Sequence, residues 1–364
     1  MKKILKVALA AMMTVGLAAC SGNSGEGSDT EQISVGFVTD TGGINDKSFN
    51  ETSYKGIQDF YTEMGYSEAP KYIESKADAD YVPNLSTFAD EKADLIVAAG
   101  YKFDTAIQTM AETYPEQKML VIDVNWLDAE KYTNIMQVGF AEHEGSFLVG
   151  VVAALKAQEL GEDTVGYITG GDSASMLRFY AGYQQGVWAV DPNMKILFDN
   201  ANVFDNAALG KTLAEKQFAE CSVIFHAAGG TGNGVIEAAK EATLAGNEKW
   251  VIGVDSDQYE QGFYDDEKTQ SVILTSMMKR VDTAAYDACK AVAENTFKGG
   301  VYSYSLANNG VGLPDENPNL TEDVLATVEE YKQKVLDGEI TIEDAPVTNE
   351  ENPNTSFTGS TSQE

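Results

Sequence analysis

The sequence is poor in the residues that build metal sites and disulfide frameworks. Its 364 residues include three cysteines and two histidines, His143 and His226, and neither a CxxC nor an HExxH spacing occurs. Cys20 has a separate role, described below, and Cys221 and Cys289 alone cannot form a disulfide framework. We therefore expect these two to be small buried apolar residues, and we predict neither a metal nor a cofactor.

Positive charge is also scarce. The 25 lysines and arginines stand against 57 acidic residues, which gives a net charge of -32 at pH 7. So acidic a surface repels nucleic acid and anionic lipid. Long apolar runs are missing from residue 33 onward, so we predict that this part of the chain crosses no membrane.

The first 19 residues have the pattern of an export signal. A basic start precedes the apolar run 7–19, which is too short for a comfortable bilayer span. Residues 17–20 (LAAC) resemble a lipobox, so we predict a signal peptide over 1–19 and fatty-acyl chains, such as palmitate, on Cys20. Several acyl chains together anchor a protein durably. An ordinary signal peptide with an incidental cysteine is the alternative.

Residues 20–32 are small, polar and without periodicity, as expected of a flexible tether that follows the lipidated cysteine. We therefore predict a protein anchored to the cell membrane by lipid and facing the extracytoplasmic side.

From residue 33, short β-rich runs alternate with longer amphipathic segments. Several of the runs are almost wholly apolar, as strands buried on both faces of a parallel sheet must be. The pattern predicts βαβ units and an α/β fold. The predicted strands are 33–39, 71–74, 95–99, 119–124, 135–140, 165–169, 195–198, 222–226 and 250–254.

Pieces of the first half recur about 130 residues later in the same order. The echoes are 35–39 (VGFVT) with 165–169 (VGYIT), 95–100 (LIVAAG) with 224–229 (IFHAAG), and 121–122 with 251–252. Chance matching of short apolar strings is the alternative, because buried strands draw on few residue types. The repetition predicts two similar Rossmann-like lobes.

The remaining elements would complete both sheets by crossing between the lobes, which makes a three-segment hinge. We predict lobe 1 from 33–140 with 277–300, and lobe 2 from 141–276 with 301–338. The polar stretch 339–364 is predicted to be a disordered tail.

In open α/β sheets, ligands bind beyond the carboxyl ends of the strands. The residues found there combine aromatic rings, glycine amides, carboxylates and one lysine. Phenyl rings provide flat apolar walls, and ionised aspartates accept the hydrogen bonds of vicinal hydroxyls. The combination is typical of a nucleoside site. The residues concerned are Asp40, Thr41, Gly42, Gly43, Asn45, Phe49, Asp123, Phe204, Gly230, Asp255, Asp257 and Lys279.

Each of these residues also has a structural interpretation. A phenylalanine at a helix start is often core, an aspartate after a strand is often a helix cap, and glycines permit close packing. Sites for other chemistry are missing: 209–212 resembles the end of a Walker A loop without its first glycine, and neither GxGxxG nor GxSxG occurs. His226 is expected to end a buried strand. Nucleotide hydrolysis and dehydrogenation are therefore disfavoured.

Four segments resemble those of the basic membrane protein family of bacterial lipoproteins, typified by purine nucleoside receptors of ABC importers. The resemblance covers roughly 33–338, and its motifs are 40–50 (DTGGINDKSFN), 178–183 (RFYAGY), 227–235 (AAGGTGNGV) and 252–258 (IGVDSDQ). It implies a periplasmic binding protein fold of type I.

The resemblance also implies roles for individual residues. The base would lie between Phe49 and Phe204, with Phe179 flanking. The edge of the base would contact Asp40, Thr41 and Asp123, with Asn45 in the same loop. The ribose hydroxyls would contact Gly230, Asp255 and Lys279, and Asp257 is the alternative to Asp255.

The implied function is that of a monomeric, non-enzymatic substrate-binding protein. It would capture guanosine, adenosine or inosine between its lobes and deliver them to an ABC permease. The alternatives are a receptor for another polyol such as a sugar, a nucleoside hydrolase, or a surface adhesion lipoprotein.

Overall fold

The computed structural model describes residues 32–347. The signal peptide, the lipidation of Cys20, the tether up to residue 31 and the tail from residue 348 are predictions that lie outside the described residues.

Between residues 32 and 347 the chain forms an alternating α/β structure with two sheets. The strands are β1 (Val35–Thr39), β2 (Lys71–Glu74), β3 (Leu95–Ala99), β4 (Met119–Ile122), β5 (Ile135–Phe140), β6 (Thr164–Thr169), β7 (Lys195–Asn200), β8 (Val223–Ala227), β9 (Trp250–Asp255), β10 (Ile273–Lys279), β11 (Gly300–Tyr304) and β12 (Val311–Gly312).

Helices separate most of these strands. They are α1 (Phe49–Glu63), α2 (Tyr81–Asp90), α3 (Asp104–Thr113), α4 (Glu142–Leu160), α5 (Ala174–Val190), α6 (Ala207–Phe218), α7 (Gly232–Leu244), α8 (Val281–Ala293) and α9 (Glu322–Leu336).

Each sheet has six strands, and the first is parallel throughout, in the order β11-β5-β4-β3-β1-β2. The second has the order β12-β10-β9-β8-β6-β7 and is parallel except for its edge strand β12. Every residue of β1, β3, β4, β5, β6 and β8 is buried. Burial on both faces explains why these strands are so apolar, and the predicted two-lobed α/β fold is confirmed.

Close helix packing in the second lobe depends on glycines. A Cβ atom added to Gly182 or Gly186 of α5 would lie 2.0 Å from the carbonyl oxygen of His143 or Phe147 in α4. Only glycine permits so close an approach between two helix backbones. Helix α4 is therefore enclosed, and twelve of its nineteen residues are buried, which suits its position between α5 and the second sheet.

The chain passes between the sheets three times. It leaves the first sheet after β5, returns from β10 to α8, and leaves again between β11 and β12. The three-segment hinge is therefore confirmed.

The predicted lobe boundaries need correction at two of the three crossings. Strand β10 continues to Lys279 within the second sheet, three residues beyond the predicted change at 276. Strand β11 pairs with β5 in the first sheet, although 301–338 was assigned to lobe 2. The physical reason is that α8 packs on α1 in lobe 1, so the next strand completes a parallel unit on the same sheet.

The predicted disordered tail is wrong for residues 339–347. The side chain of Gln185 in α5 exchanges two hydrogen bonds with the backbone of Glu343, at 2.8 and 2.9 Å. The side chain of Gln184 accepts a third from the amide of Val347, at 2.8 Å, and Ile342 is buried. Gln184 and Gln185 on α5 thus provide hydrogen-bond partners for the backbone of this irregular segment. Its polar composition alone does not reveal these contacts.

Cys221 and Cys289 are free and buried, as expected. No helix within residues 32–347 has both the length and the apolar character needed to cross a bilayer.

Candidate functional site

A cavity of about 520 Å³, measured out to its open mouth, lies at the carboxyl ends of strands from both sheets. Residues of the first lobe that line it are Asp40, Gly42, Asp46, Phe49, Asn50, Gly100, Tyr101 and Asp123. Residues of the second lobe are Met176, Phe179, Phe204, Ala227, Ala228, Gly229, Val254, Asp255 and Lys279. Side chains that the sequence separates by up to 239 positions thus face one cleft.

Of the ten residues to which the family resemblance gives a place in the site, seven line this cavity: Asp40, Phe49, Asp123, Phe179, Phe204, Asp255 and Lys279. Thr41, Asn45 and Gly230 do not belong to the lining. The turn at Gly43, with φ of 73°, leaves Asn45 exposed while Ile44 and Asp46 point inward and are buried. Loop geometry, which single-residue chemistry does not reveal, decides which of these side chains face the cleft.

The loop that follows β1 is held by its own side chains. Asp40 Oδ1 accepts hydrogen bonds from the amide of Gly42 at 2.8 Å and from Asn50 Nδ2 at 2.9 Å. Asp46 accepts from the amides of Ser48 and Glu51 at 3.0 and 3.1 Å, and from the Asn50 amide at 2.8 Å. Asp46 therefore caps the start of α1. Burial nevertheless outweighs these bonds and raises the pKa of Asp46 to about 6.

Phenyl rings form the apolar part of the cavity. Phe49 and Phe204 are partly exposed and pack against the core, whereas Phe179 is 1% exposed. Glycine makes room for one of these rings, because a Cβ atom on Gly170 would lie 2.3 Å from the Phe204 ring. The site therefore has flat walls from both lobes.

A buried ion cluster lies beside these rings. The Lys279 Nζ donates a hydrogen bond to Asp123 Oδ2 at 2.8 Å and lies 2.7 Å from Oδ1. It also lies 3.1 Å from Glu142 Oε1, while Glu142 Oε2 accepts a hydrogen bond from Arg178 Nε at 2.6 Å. The same ammonium is 5.1–5.3 Å from the ring centroids of Phe49, Phe140 and Phe179, a favourable distance for a cation over a ring.

Charge pairing decides the ionisation of this cluster. Burial alone would lower the pKa of Lys279, but Asp123, Glu142 and Asp255 outweigh it and raise that pKa. Burial would raise the pKa of Glu142, but Lys279 and Arg178 outweigh it and lower that pKa. For Asp123, burial prevails over the attraction of Lys279, and the pKa is raised.

Asp255 has a different environment, because its Oδ2 accepts a hydrogen bond from Ser48 Oγ of the other lobe. Burial raises its pKa to about 7, against the influence of Lys279. Asp257 is exposed and its Oδ1 accepts from the amide of Tyr259 at 3.0 Å. The structure therefore places Asp255, and not Asp257, at the cavity.

Amide side chains of the second lobe also reach across the cleft. Asn233 Nδ2 donates to the carbonyl of Asp46 at 3.1 Å. Gln258 Nε2 and Gln261 Nε2 donate to the carbonyl of Lys47 at 2.9 and 3.3 Å. The loop that follows β1 is thus fastened to the opposite lobe, as in a closed form.

The sequence interpretation missed four residues of the cavity lining, Asp46, Asn50, Tyr101 and Met176, and the buried Glu142 that contacts Lys279. Tyr101 and Glu142 each lie two positions after the last residue of a strand, β3 and β5 respectively. Ligands in open α/β sheets bind beyond the carboxyl ends of the strands, and this rule would have identified both residues.

His226, expected to end a buried strand, is fully buried in β8, and burial lowers its pKa to about 4. No cluster of metal ligands occurs among residues 32–347.

Residues 33–345 match the family described as Bmp, ABC transporter substrate-binding protein PnrA-like. A Listeria innocua protein described as a CD4+ T-cell-stimulating antigen is 38% identical over 95% of this chain and 99% of its own length. An ABC transporter nucleoside-binding protein, BmpA, of Lactococcus lactis subsp. cremoris is 30% identical over 94% of this chain and 99% of its own length.

Among solved structures, a solute-binding protein of an ABC transporter system from Aeropyrum pernix aligns with a TM-score of 0.74 and 30% identity. The alignment covers 85% of this chain and 93% of that one. The family resemblance carried by the four motifs is therefore confirmed, and so is the periplasmic binding protein fold of type I.

Proposed function

The chain belongs to the Bmp family of PnrA-like ABC transporter substrate-binding proteins, and from this premise we propose that its ligands are purine nucleosides. Guanosine, adenosine or inosine would bind in the cleft and pass to a membrane permease. The family consists of substrate-binding proteins, and we propose no catalytic role for the cavity.

One observation carries the proposal: a single cavity combines phenyl rings from both lobes with buried strand-end carboxylates and an ammonium. A base stacked on an aromatic ring gains about 1 to 3 kcal/mol. Asp255 offers acceptors and Lys279 offers donors to vicinal hydroxyls. A flat heterocycle joined to a pentose matches both halves of this lining, whereas a sugar alone would leave the phenyl walls unused.

Closure of the two lobes would follow from the contacts that the ligand makes with both of them. A ligand that touches both lobes stabilises the closed form, because only differential affinity shifts a conformational equilibrium. The permease would then recognise the closed form of a monomer, which the acyl chains on Cys20 hold at the extracytoplasmic face of the cell membrane.

Titration calorimetry tests the nature of the ligand. Adenosine, guanosine and inosine should bind, while AMP and GMP should bind about a hundredfold more weakly, because their phosphate meets the acidic cavity. Nucleotides that bind as tightly as nucleosides would contradict the proposal.

The aromatic walls provide the control. The double variant Phe49→Ala with Phe204→Ala should lose about 2 kcal/mol or more of nucleoside affinity and leave any binding of free sugars unchanged. Sugars that bind the wild-type protein more tightly than nucleosides would favour a polyol receptor. Cells that still import nucleosides after both phenylalanines are replaced would favour an adhesion role.

A further inference from the structure

Glu142 is a buried carboxylate outside the motifs that carry the family resemblance and outside the cavity lining. It is fully buried in the first turn of α4, two positions after β5. Its two oxygens contact two different cations: Oε1 lies 3.1 Å from Lys279 Nζ, and Oε2 accepts from Arg178 Nε at 2.6 Å.

Such a group is expensive to bury. An ionised carboxylate is strongly disfavoured in the interior unless cations and hydrogen bonds compensate it. Here two cations do so, and they lower the pKa of Glu142. Glu142 is therefore ionised at neutral pH, and its charge acts on Lys279 at close range.

The place of Glu142 in the fold separates its role from that of Asp123. Asp123 belongs to the first lobe, at the end of β4, whereas Lys279 ends β10 in the second sheet. Helix α4 packs on α5 and β10 of that second lobe. We therefore expect opening of the lobes to move Asp123 away from Lys279 and to leave Glu142 in contact with it.

Lysine has a flexible side chain of four methylenes, so its ammonium needs fixed partners to keep one position. Arg178, 19% exposed at its side chain, holds the far oxygen of Glu142 and so fixes the near one. The chain Arg178–Glu142–Lys279 lies wholly within the second lobe and ends at the cavity.

We propose that Glu142 is a positioning residue that holds the Lys279 ammonium at the ligand in both the open and the closed form, and thereby determines recognition of ligand hydroxyls. The inference rests on the proposed function, because it requires a ligand with hydroxyl groups. It adds a residue that acts on the ligand through another residue.

The test compares Glu142→Gln with the wild-type protein, using guanosine and its 2',3'-dideoxy analogue in titration calorimetry. Wild type should prefer guanosine by about 30-fold, because the analogue leaves buried polar groups unpaired. In Glu142→Gln the guanosine dissociation constant should rise about tenfold, and that of the analogue less than about threefold. The preference should therefore fall from about 30-fold to between about threefold and ninefold.

Glu144→Gln is the matched control. Glu144 lies on the same helix and accepts a hydrogen bond from the amide of Leu306 at 2.8 Å, away from Lys279. This variant should keep the preference for guanosine.

A merely structural role of Glu142 would weaken guanosine and the analogue equally, and that result would overturn the inference. An unchanged preference in Glu142→Gln would overturn it as well. If wild type binds no nucleoside, the proposed function fails first, and this inference fails with it.

Circular dichroism and a thermal melt show whether Glu142→Gln is folded. If it is not, Glu142→Asp decides in the same way, because it keeps the charge but withdraws the carboxylate by one methylene. Its preference for guanosine should lie below that of wild type, and equal weakening of both ligands would contradict the inference.

Discussion

The two lobes place an aspartate at matching points of their sheets and give it different partners. Asp123 follows β4 and Asp255 ends β9, and both have left-handed backbone, with φ of 66° and 69°. Asp123 is paired with Lys279, whereas Asp255 accepts a hydrogen bond from the hydroxyl of Ser48. The same left-handed backbone therefore presents two carboxylates with different partners. Asp123 is paired with a cation, whereas Asp255 accepts a hydrogen bond from a hydroxyl group, as it could from a ligand hydroxyl.

Replacement of Lys279 by methionine should remove the cation that distinguishes the environment of Asp123 from that of Asp255. Of the variants considered, it should have the largest effect on stability. Breaking a buried ion pair leaves an uncompensated charge, so the free energy of unfolding should fall by about 3 to 5 kcal/mol at neutral pH. The methionine side chain suits the surrounding rings of Phe49, Phe140 and Phe179, so lost packing should contribute little. Urea unfolding monitored by circular dichroism measures the change.

Lys211→Met is the control for Lys279→Met. Lys211 forms an ion pair with Glu241 at 2.6 Å, and the two side chains are 32% and 53% exposed. Exposed pairs contribute about 1 kcal/mol or less, so this variant should stay near wild type. If both lysine variants lose equally little stability, burial of the Lys279 cluster has no energetic consequence and the comparison of the two aspartates fails.

Much of this arrangement could be predicted from the sequence. Buried parallel strands are recognisable as apolar runs, and the carboxyl ends of such strands converge, so Asp123, Asp255 and Lys279 could be placed near one cleft without coordinates. The echoes between the two halves also predicted two similar sheets. These inferences depend on patterns that lie within short segments of the chain and can be recognised in the sequence.

What could not be predicted depends on contacts between distant segments. The pairing of β11 with β5 follows from the packing of α8 on α1, and the order of residues does not reveal it. Likewise, Asn45 is exposed because the turn at Gly43 and the cap by Asp46 orient the loop. Side-chain direction in loops arises from such interactions.

Asp255→Asn should sharpen the comparison through its dependence on pH. The pKa of Asp255 is about 7 in the folded protein against an ordinary value of 3.8. A raised pKa contributes stability below about pH 4 that is lost as the pH rises through 7, because the folded protein resists ionisation there. Asparagine at this position does not titrate and tolerates positive φ. Its amide oxygen can still accept a hydrogen bond from the Ser48 hydroxyl.

The variant should therefore gain stability relative to wild type by about 2 to 4 kcal/mol between pH 4 and pH 8, measured by denaturant unfolding across that range. Asp257→Asn removes an exposed carboxylate two positions away and should show much less dependence on pH. If the difference in the free energy of unfolding between Asp255→Asn and wild type did not change with pH, Asp255 would ionise in the folded protein as readily as an exposed carboxylate does.

The smallest effect is expected where the lobes touch at the rim of the cleft. Gln261→Ala removes one hydrogen bond to the carbonyl of Lys47, at 3.3 Å, while Gln258 keeps its own bond to the same oxygen at 2.9 Å. The closed form should lose about 0.5 to 1 kcal/mol, so nucleoside should bind about threefold more weakly and dissociate faster. Stopped-flow displacement measures this rate. Gln270→Ala is the control, because Gln270 bonds to Tyr264 within its own lobe. Equal rates for all three proteins would show that contacts across the rim do not stabilise closure.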